Sequence, residues 1–235
     1  MAGDVGLVRP PKLGNRHRRV WPKVVPVLIV LAVAGAVWLV FFSGYLAVRQ
    51  LTVDGVALTT EDDVISAAGI SLGTPLVTVR QSDVNQRVTQ AIPEVESITL
   101  SRHWSGDVVI HVIEREAVFK VAKGGQYEWV SDDGAVFHTS ADAPPVPLVT
   151  VSKDDSNLLA DVATVVLALP PELMDKVKSL DAQSRDSITI QLDGNREVIW
   201  GGAAQSGLKA QVLTVLLAQP GHVYDVSAPT SPAVR

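Results

Sequence analysis

Residues 107–116 read DVVIHVIERE and end in Glu114-Arg115-Glu116. The run alternates as a strand does, with a period of two residues. Neighbours in a strand point to opposite faces, so Glu114 and Arg115 do not face each other, whereas Glu114 and Glu116 share a face. Paired carboxylates can do acid–base work, but the sequence sets no histidine beside them. Glu114 and Arg115 therefore read as a latch between two domains. Arg115 is expected to bond carbonyls or an acid of the next domain.

Upstream of this strand, VESITLSRHW (95–104) alternates too, and Ser105-Gly106 between the two supplies a hairpin turn. SDVNQRVTQAIPEV is a helix with Ser82 as cap, Val84, Val88 and Ile92 on one face, and Pro93 ending it. TTEDDVISAAGI is another: Thr60 caps, Asp63 returns the bond and Gly69 stops it. SLGTPLVTV between the helices is a loop with a short extended piece. VRQLTVDGV opens the region as a short strand with an Asp54-Gly55 turn. Strand, helix, helix, strand, strand make a small α+β unit, two helices on one face of a three-stranded sheet.

From Ala117 onward short strands dominate: AVFKVA, YEWVS and AVFHT, with Asp132-Asp133-Gly134 as a hairpin turn. Pro144, Pro145 and Pro147 mark a loop. DSNLLADVATVVLALP is an amphipathic helix capped at Asp155 or Ser156 and stopped by Pro170. ITIQLDGNREVIWGG is a hairpin around Asp193-Gly194-Asn195, and a helix runs from Ser206 to about Gln219. HVYDVS is a late strand. Pro229 and Pro232 interrupt the chain beyond it, and the final Ala233-Val234-Arg235 adds a last extended piece.

Far upstream, Val24 to Val48 carries no charge. Twenty-five residues of helix span about 37 Å, against a hydrocarbon core of about 30 Å. Trp38, Phe41, Phe42 and Tyr45 load its far end as an interfacial belt. Ala34-Gly35-Ala36 imitates a cleavage site, but the apolar run is too long for a signal peptide core. It reads as an uncleaved signal anchor. Arg9, Lys12, Arg16, Arg18, Arg19 and Lys23 precede it with only Asp4 opposing, while 14 basic and 24 acidic residues lie after it. The positive-inside rule puts the N-terminus in the cytoplasm and the rest outside. Topology accounts for the basic tail more simply than contact with DNA or anionic lipid, and the acidic outer part argues against a nucleic-acid partner. The expected organisation is a basic tail (1–23), a membrane helix (24–48), the α+β unit (49–116) and a second, β-rich α+β domain (117–235).

The chemistry that the chain excludes is informative. It has no cysteine, hence no disulfide, thiol nucleophile or thiolate metal site. His17, His103, His111, His138 and His222 show no metal-ligand spacing; His103 and His111 could pair across their hairpin. No phosphate-cradling glycine motif is present. No cofactor and no metal are expected. Ser206-x-x-Lys209 imitates the nucleophile motif of penicillin-binding enzymes, with Ser131-Asp132-Asp133 and Lys123-Gly124-Gly125 as loose companions. Their order along the chain is reversed relative to that motif set. Ser206 then reads as a helix N-cap and Lys209 as an exposed first-turn residue.

LTVDGV, DVNQRVTQAIPEVESITLSRHW, IHVIERE, WVSDDGAVF, VIWGGAAQSGLKAQVLTVLL and YDVSAPTSPAVR, in this order and spacing, resemble the FtsQ/DivIB family of bacterial cell-division proteins. The α+β unit resembles a POTRA domain. A proline usual after Trp104 is replaced here by Ser105-Gly106-Asp107, which puts the conformation of that turn in question. The resemblance implies a single-pass plasma-membrane protein at the division septum. It implies no enzyme, but a scaffold binding two other membrane proteins, FtsB-like and FtsL-like, on the outer face. It also implies that an FtsB-like strand adds at the C-terminal edge, at Val223, Tyr224, Asp225, Val226, Ser227, Ala233, Val234 and Arg235. An open edge offers unpaired N–H and C=O groups to such a strand. Two alternatives stand beside this reading: a POTRA-containing export or assembly factor that binds extended polypeptides, and an anchored cell-wall enzyme.

Overall fold

A computed structural model describes residues 21–42, 47–153 and 155–235. Residues 1–20 of the expected basic tail lie outside this range, as do residues 43–46 of the expected crossing. The first helix, α1 (Trp21–Phe42), has 22 residues. Its described side chains, 25–35, Val37 and Trp38, are all exposed. Among the described residues no helix is long and apolar enough to cross a membrane, so the crossing remains a reading of the sequence.

The α+β unit forms as its patterns predict. Its strands are β1 (Gln50–Asp54), β2 (Val95–Arg102) and β3 (Asp107–Glu114), in the order β1-β3-β2. β1 runs parallel to β3, and β2 antiparallel. The helices are α2 (Glu61–Ala68) and α3 (Gln81–Ala91). Thr60 caps α2 by accepting from the Asp63 N–H, and its hydroxyl donates to the Asp63 carboxylate. Val64, Ala68, Val84 and Val88 are buried against Ile98, Val108 and Ile110 of the sheet.

Details differ from the sequence expectation for physical reasons. Ser82 is not the cap of α3; Arg80 occupies that position, without a side-chain bond. Gln81 and Asn85 instead use their amides on β2: Asn85 Oδ1 accepts from the Ile98 N–H at 2.8 Å, and Gln81 Oε1 from the Leu100 N–H at 3.4 Å. The extended piece in the interhelical loop is a single 3-10 turn, Leu76–Thr78. His111 does not pair with His103; its ring lies between Asp54, 2.7 Å away, and Ser101, 3.0 Å away. The turn after Trp104 is tight. Gly106 has φ +99, and a Cβ there would lie 2.7 Å from the Ala47 carbonyl oxygen. Glycine fits this close approach of two segments of the chain as no larger residue does.

The C-terminal domain is one nine-stranded sheet. In chain order its strands are β4 (Phe119–Lys123), β5 (Gln126–Val130), β6 (Val136–Ser140), β7 (Leu148–Val151), β8 (Val177–Ser184), β9 (Ser187–Leu192), β10 (Arg196–Gly201), β11 (Val223–Asp225) and β12 (Ala233–Val234). In space they lie β12-β11-β10-β9-β8-β7-β4-β5-β6. The helices α4 (Ser156–Ala168), α5 (Pro171–Met174) and α6 (Ser206–Leu216) complete it. Asp155 caps α4, accepting from the Asn157 N–H. Leu158, Val162, Val165 and Val166 of α4 and Leu213 of α6 share a core with Phe119, Leu180, Ile188, Ile190 and Trp200 of the sheet.

The junction between the two units is where Glu114 and Arg115 separate. Glu114 turns back into its own unit. Its Oε1 accepts from the backbone N–H groups of Ala57, Leu58 and Thr59, each at 3.0 Å. Arg115 points the other way and bonds Asp133 at 2.8 Å and the buried Ser131 hydroxyl at 3.2 Å. Ser131 in turn donates to Asp133 at 2.6 Å. A second crossing contact joins Glu94 to His138 of β6 at 3.2 Å. The turn that receives Arg115 is itself pressed on α4. A Cβ on Gly134, at φ +80, would lie 2.3 Å from the Ala160 nitrogen.

This junction generates two testable outcomes. Gly134→Ala should cost several kcal/mol, adding overpacking of about 1–3 kcal/mol to the left-handed strain of about 1–2 kcal/mol. Gly124→Ala, with open space around it, should cost the strain alone; chemical denaturation of the two variants makes the comparison. The second concerns acid. Burial by itself would raise the Asp133 carboxyl, but hydrogen bonds from Ser131, Arg115 and the Ala135 N–H, with the Arg115 charge, hold it below the ordinary value. A carboxylate lowered in the fold stabilises above its unfolded pKa near 4 and loses that contribution as pH falls through the folded value. Asp133→Asn should therefore flatten the loss of thermal stability below about pH 4, and superimposable acid profiles would refute this.

Candidate partner interface

Strand β11 follows α6 after the short loop of residues 217–222, and Tyr224 ties that loop down. Its buried hydroxyl sits 2.9 Å from the Gln219 carbonyl and 3.0 Å from that of Gly221. β11 pairs parallel with β10, with Val198 opposite Tyr224. The Val226 N–H continues this seam, donating to Ile199 O at 3.0 Å. After β11, Asp225 accepts from the backbone and hydroxyl of Ser227 and so turns the chain away. Pro229 and Pro232 lie in the excursion, and the chain then comes back as β12.

β12 pairs antiparallel with the outer side of β11, Tyr224 opposite Val234 and Asp225 opposite Ala233. Val223 and Arg235 exchange both of their backbone bonds at 2.9 Å. In an antiparallel ladder the next pair along points its groups outward. The N–H and C=O of Val234 therefore face away from the sheet. Pro232, the next residue of the same phase, offers only a carbonyl.

The eight expected edge residues thus divide. Val223 to Ser227 do not form the open edge. β11 is flanked on both sides, and Tyr224 and Val226 are buried. The open edge belongs to Ala233, Val234 and Arg235. Val234 packs over Gly221, where a Cβ would come within 2.3 Å of its Cγ1. The Arg235 guanidinium lies 3.9 Å from Asp225.

The seam is braced from behind by two residues that sequence reading placed wrongly. Lys209 is buried rather than exposed, and its ammonium donates to the Trp200 carbonyl at 2.9 Å and the Gly202 carbonyl at 2.8 Å. Burial lowers its pKa, opposed by the charge of Asp186. Ser206 is not the N-cap; Gln205 is, in the left-handed region. The Ser206 hydroxyl donates to Ala203 O at 2.7 Å and accepts from the Trp200 indole at 3.2 Å. Both side chains thus serve the backbone and indole at the end of β10, the arrangement of a brace rather than of a nucleophile and its base. The signal that could have found them is the amphipathic phase of α6: Lys209 shares its inner face with Leu213 and Leu216. Among the described residues no cluster of His, Asp or Glu could hold a metal ion.

Comparison with known proteins bears on this arrangement. Residues 46–115 match the POTRA domain of FtsQ type, and residues 120–227 the C-terminal domain of cell division protein FtsQ/DivIB. The chain is 34% identical to the cell division protein FtsQ of Streptomyces venezuelae over 95% of its own length and 89% of the relative's. It is 36% identical to that of Mycobacterium leprae over 81% of its length and 56% of the relative's. The major extracytoplasmic domain of DivIB from Geobacillus stearothermophilus is a looser likeness, with a TM-score of 0.36 at 15% identity over 45% of this chain and 93% of that one. A POTRA unit, an FtsQ/DivIB C-terminal domain and a full-length relative coincide in one chain, which belongs to the FtsQ/DivIB family of bacterial cell division proteins.

Proposed function

We propose that this protein is a membrane-anchored, non-enzymatic scaffold of the division machinery that joins FtsB-like and FtsL-like membrane proteins on the outer face of the septal membrane. The observation that carries the recruitment step is the outward N–H and C=O of Val234 on β12, the C-terminal edge of the nine-stranded sheet. A strand of a partner can lie beside β12 and satisfy them. Family membership supports division as the setting. Anchoring is supported by the sequence, in which Val24 to Val48 carries no charge. As a helix these 25 residues would span about 37 Å, enough for the hydrocarbon core. The engagement of Ser206 and Lys209 within the fold supports a binding rather than a catalytic role.

Val234→Pro removes the outward N–H but leaves the Val223–Arg235 pair intact. One lost hydrogen bond of about 0.5–1.5 kcal/mol corresponds to a few-fold to about tenfold weaker binding. Titration of the purified protein with an FtsB-like extracytoplasmic segment reads this, with an unchanged melting temperature showing that the fold persists. Unaltered affinity would exclude β12 as the docking edge. Val226→Pro is a poorer probe, because it breaks the bond to Ile199 and so damages the sheet itself.

Topology gives a separate outcome: an enzyme reporter that folds only outside the cytoplasm, fused after Arg235, should be active. A reporter active only inside the cell contradicts the anchor.

A further inference from the structure

We propose that the end of the POTRA unit nearest the anchor is a lipid-docking face, on which Trp104, Leu72 and Val77 enter the headgroup region of the bilayer beside the helix. This rests on the anchored reading given above. The face is assembled on Ala47, Val48 and Arg49, the first described residues after α1. On one side the Val48 N–H donates to Thr74 O, and Gly73 N–H to Val48 O, both at 2.8 Å. Ala47 bridges Pro75. On the other side the Arg49 N–H donates to Gly106 O at 2.8 Å. Arg102 ties the two flanks together, bonding Val79 O at 2.9 Å. The loop of residues 71–78 and the tip of the β2–β3 hairpin thus stand on either side of the chain that comes from α1.

Both flanks expose apolar side chains that the fold does not use. Trp104 at the hairpin tip is 83% exposed, Leu72 69% and Val77 54%. Single exposed apolar residues are ordinary, but these three belong to the two loops that touch the anchor's exit. Tryptophan favours the membrane–water interface, where the ring is half buried and the indole N–H keeps a polar partner. Arg49, Arg80 and Arg102 are exposed around them, with chemistry suited to lipid phosphates. Asp107 is the one acid in the turn of the hairpin, and it accepts from Ser105. Reach is limited too. Ala47 lies five residues beyond Phe42, a stretch that covers at most about 18 Å of extended chain. A face bonded directly to residues 47–49 is held close to the headgroups, and its apolar, cationic composition suits that place.

Because the chain contains no cysteine, one can be introduced at Ser71 or Ser105 on this face, or at Ser187 in the β8–β9 hairpin as a control. Each full-length variant carries an environment-sensitive fluorophore and is reconstituted into vesicles of phosphatidylcholine and phosphatidylglycerol with a spin-labelled upper acyl chain. Flotation first reports whether the chain stays with the vesicles. Docking predicts blue-shifted, quenched emission at positions 71 and 105 and little change at 187. It also predicts that adding Trp104→Glu and Leu72→Glu relieves the quenching while flotation is unchanged. A chain that floats without quenching at 71 and 105 overturns the docking face and leaves it to water or another protein. Quenching that survives the two glutamates overturns it as well, because the short tether alone then accounts for proximity. A chain that fails to float sinks the anchored reading, and this face falls with it.

Discussion

The alternation of side chains along one strand governs how this molecule is joined. At the end of β3, Glu114 and Arg115 must leave on opposite faces. One carboxylate gathers three backbone N–H groups ahead of α2 and closes the POTRA unit. The next side chain crosses to Ser131 and Asp133 and aligns the second domain. A one-residue slip would exchange these directions and undo both joins at once. Neither residue needs a reactive role, and the geometry gives each a structural one.

The second domain depends on a comparable arrangement at its far end. Lys209 brings a cation beneath the sheet to hold the Trp200 carbonyl of β10 and that of Gly202 just beyond it, and Trp200 fills the space beside it. A buried ammonium without such acceptors would be strongly unfavourable. With them it fixes the end of the strand on which β11 is laid. β11 then supplies the template for β12. The candidate interface at the surface thus rests on a chain of pairings that begins in the core.

Much of this was legible in the sequence, and the reasons for the remainder are specific. The POTRA order was readable because its apolar residues keep strict periods and its helices carry recognisable stops. The division of roles at Glu114-Arg115 came from strand geometry, except that Glu114 serves its own unit rather than the junction. β7 and β8 were missed. VKSLDAQS buries only Leu180 and Ala182, so its polar residues hide the pattern, and its parallel neighbour β7 lies far away in sequence. Lys209 was misplaced because a charge in a first helical turn is normally solvated, and only the carbonyls of β10, invisible in the sequence, invert that. The expected edge takes in both Val223–Ser227 and Ala233–Arg235, and only the second of these lies outermost. Nothing local reveals that the last residues fold back over β11, since two-residue strands leave no periodic signal.

The brevity of β12 has a kinetic corollary. β12 has two residues and Pro232 beside it lacks an N–H, so a strand docking as proposed would form only a few backbone bonds there and each encounter would be short-lived on its own. In the proposed scaffold, long residence would come from confinement in a shared two-dimensional sheet of lipid, where a released neighbour is recaptured before it diffuses away. Such a grip would dissolve as soon as co-localisation ends.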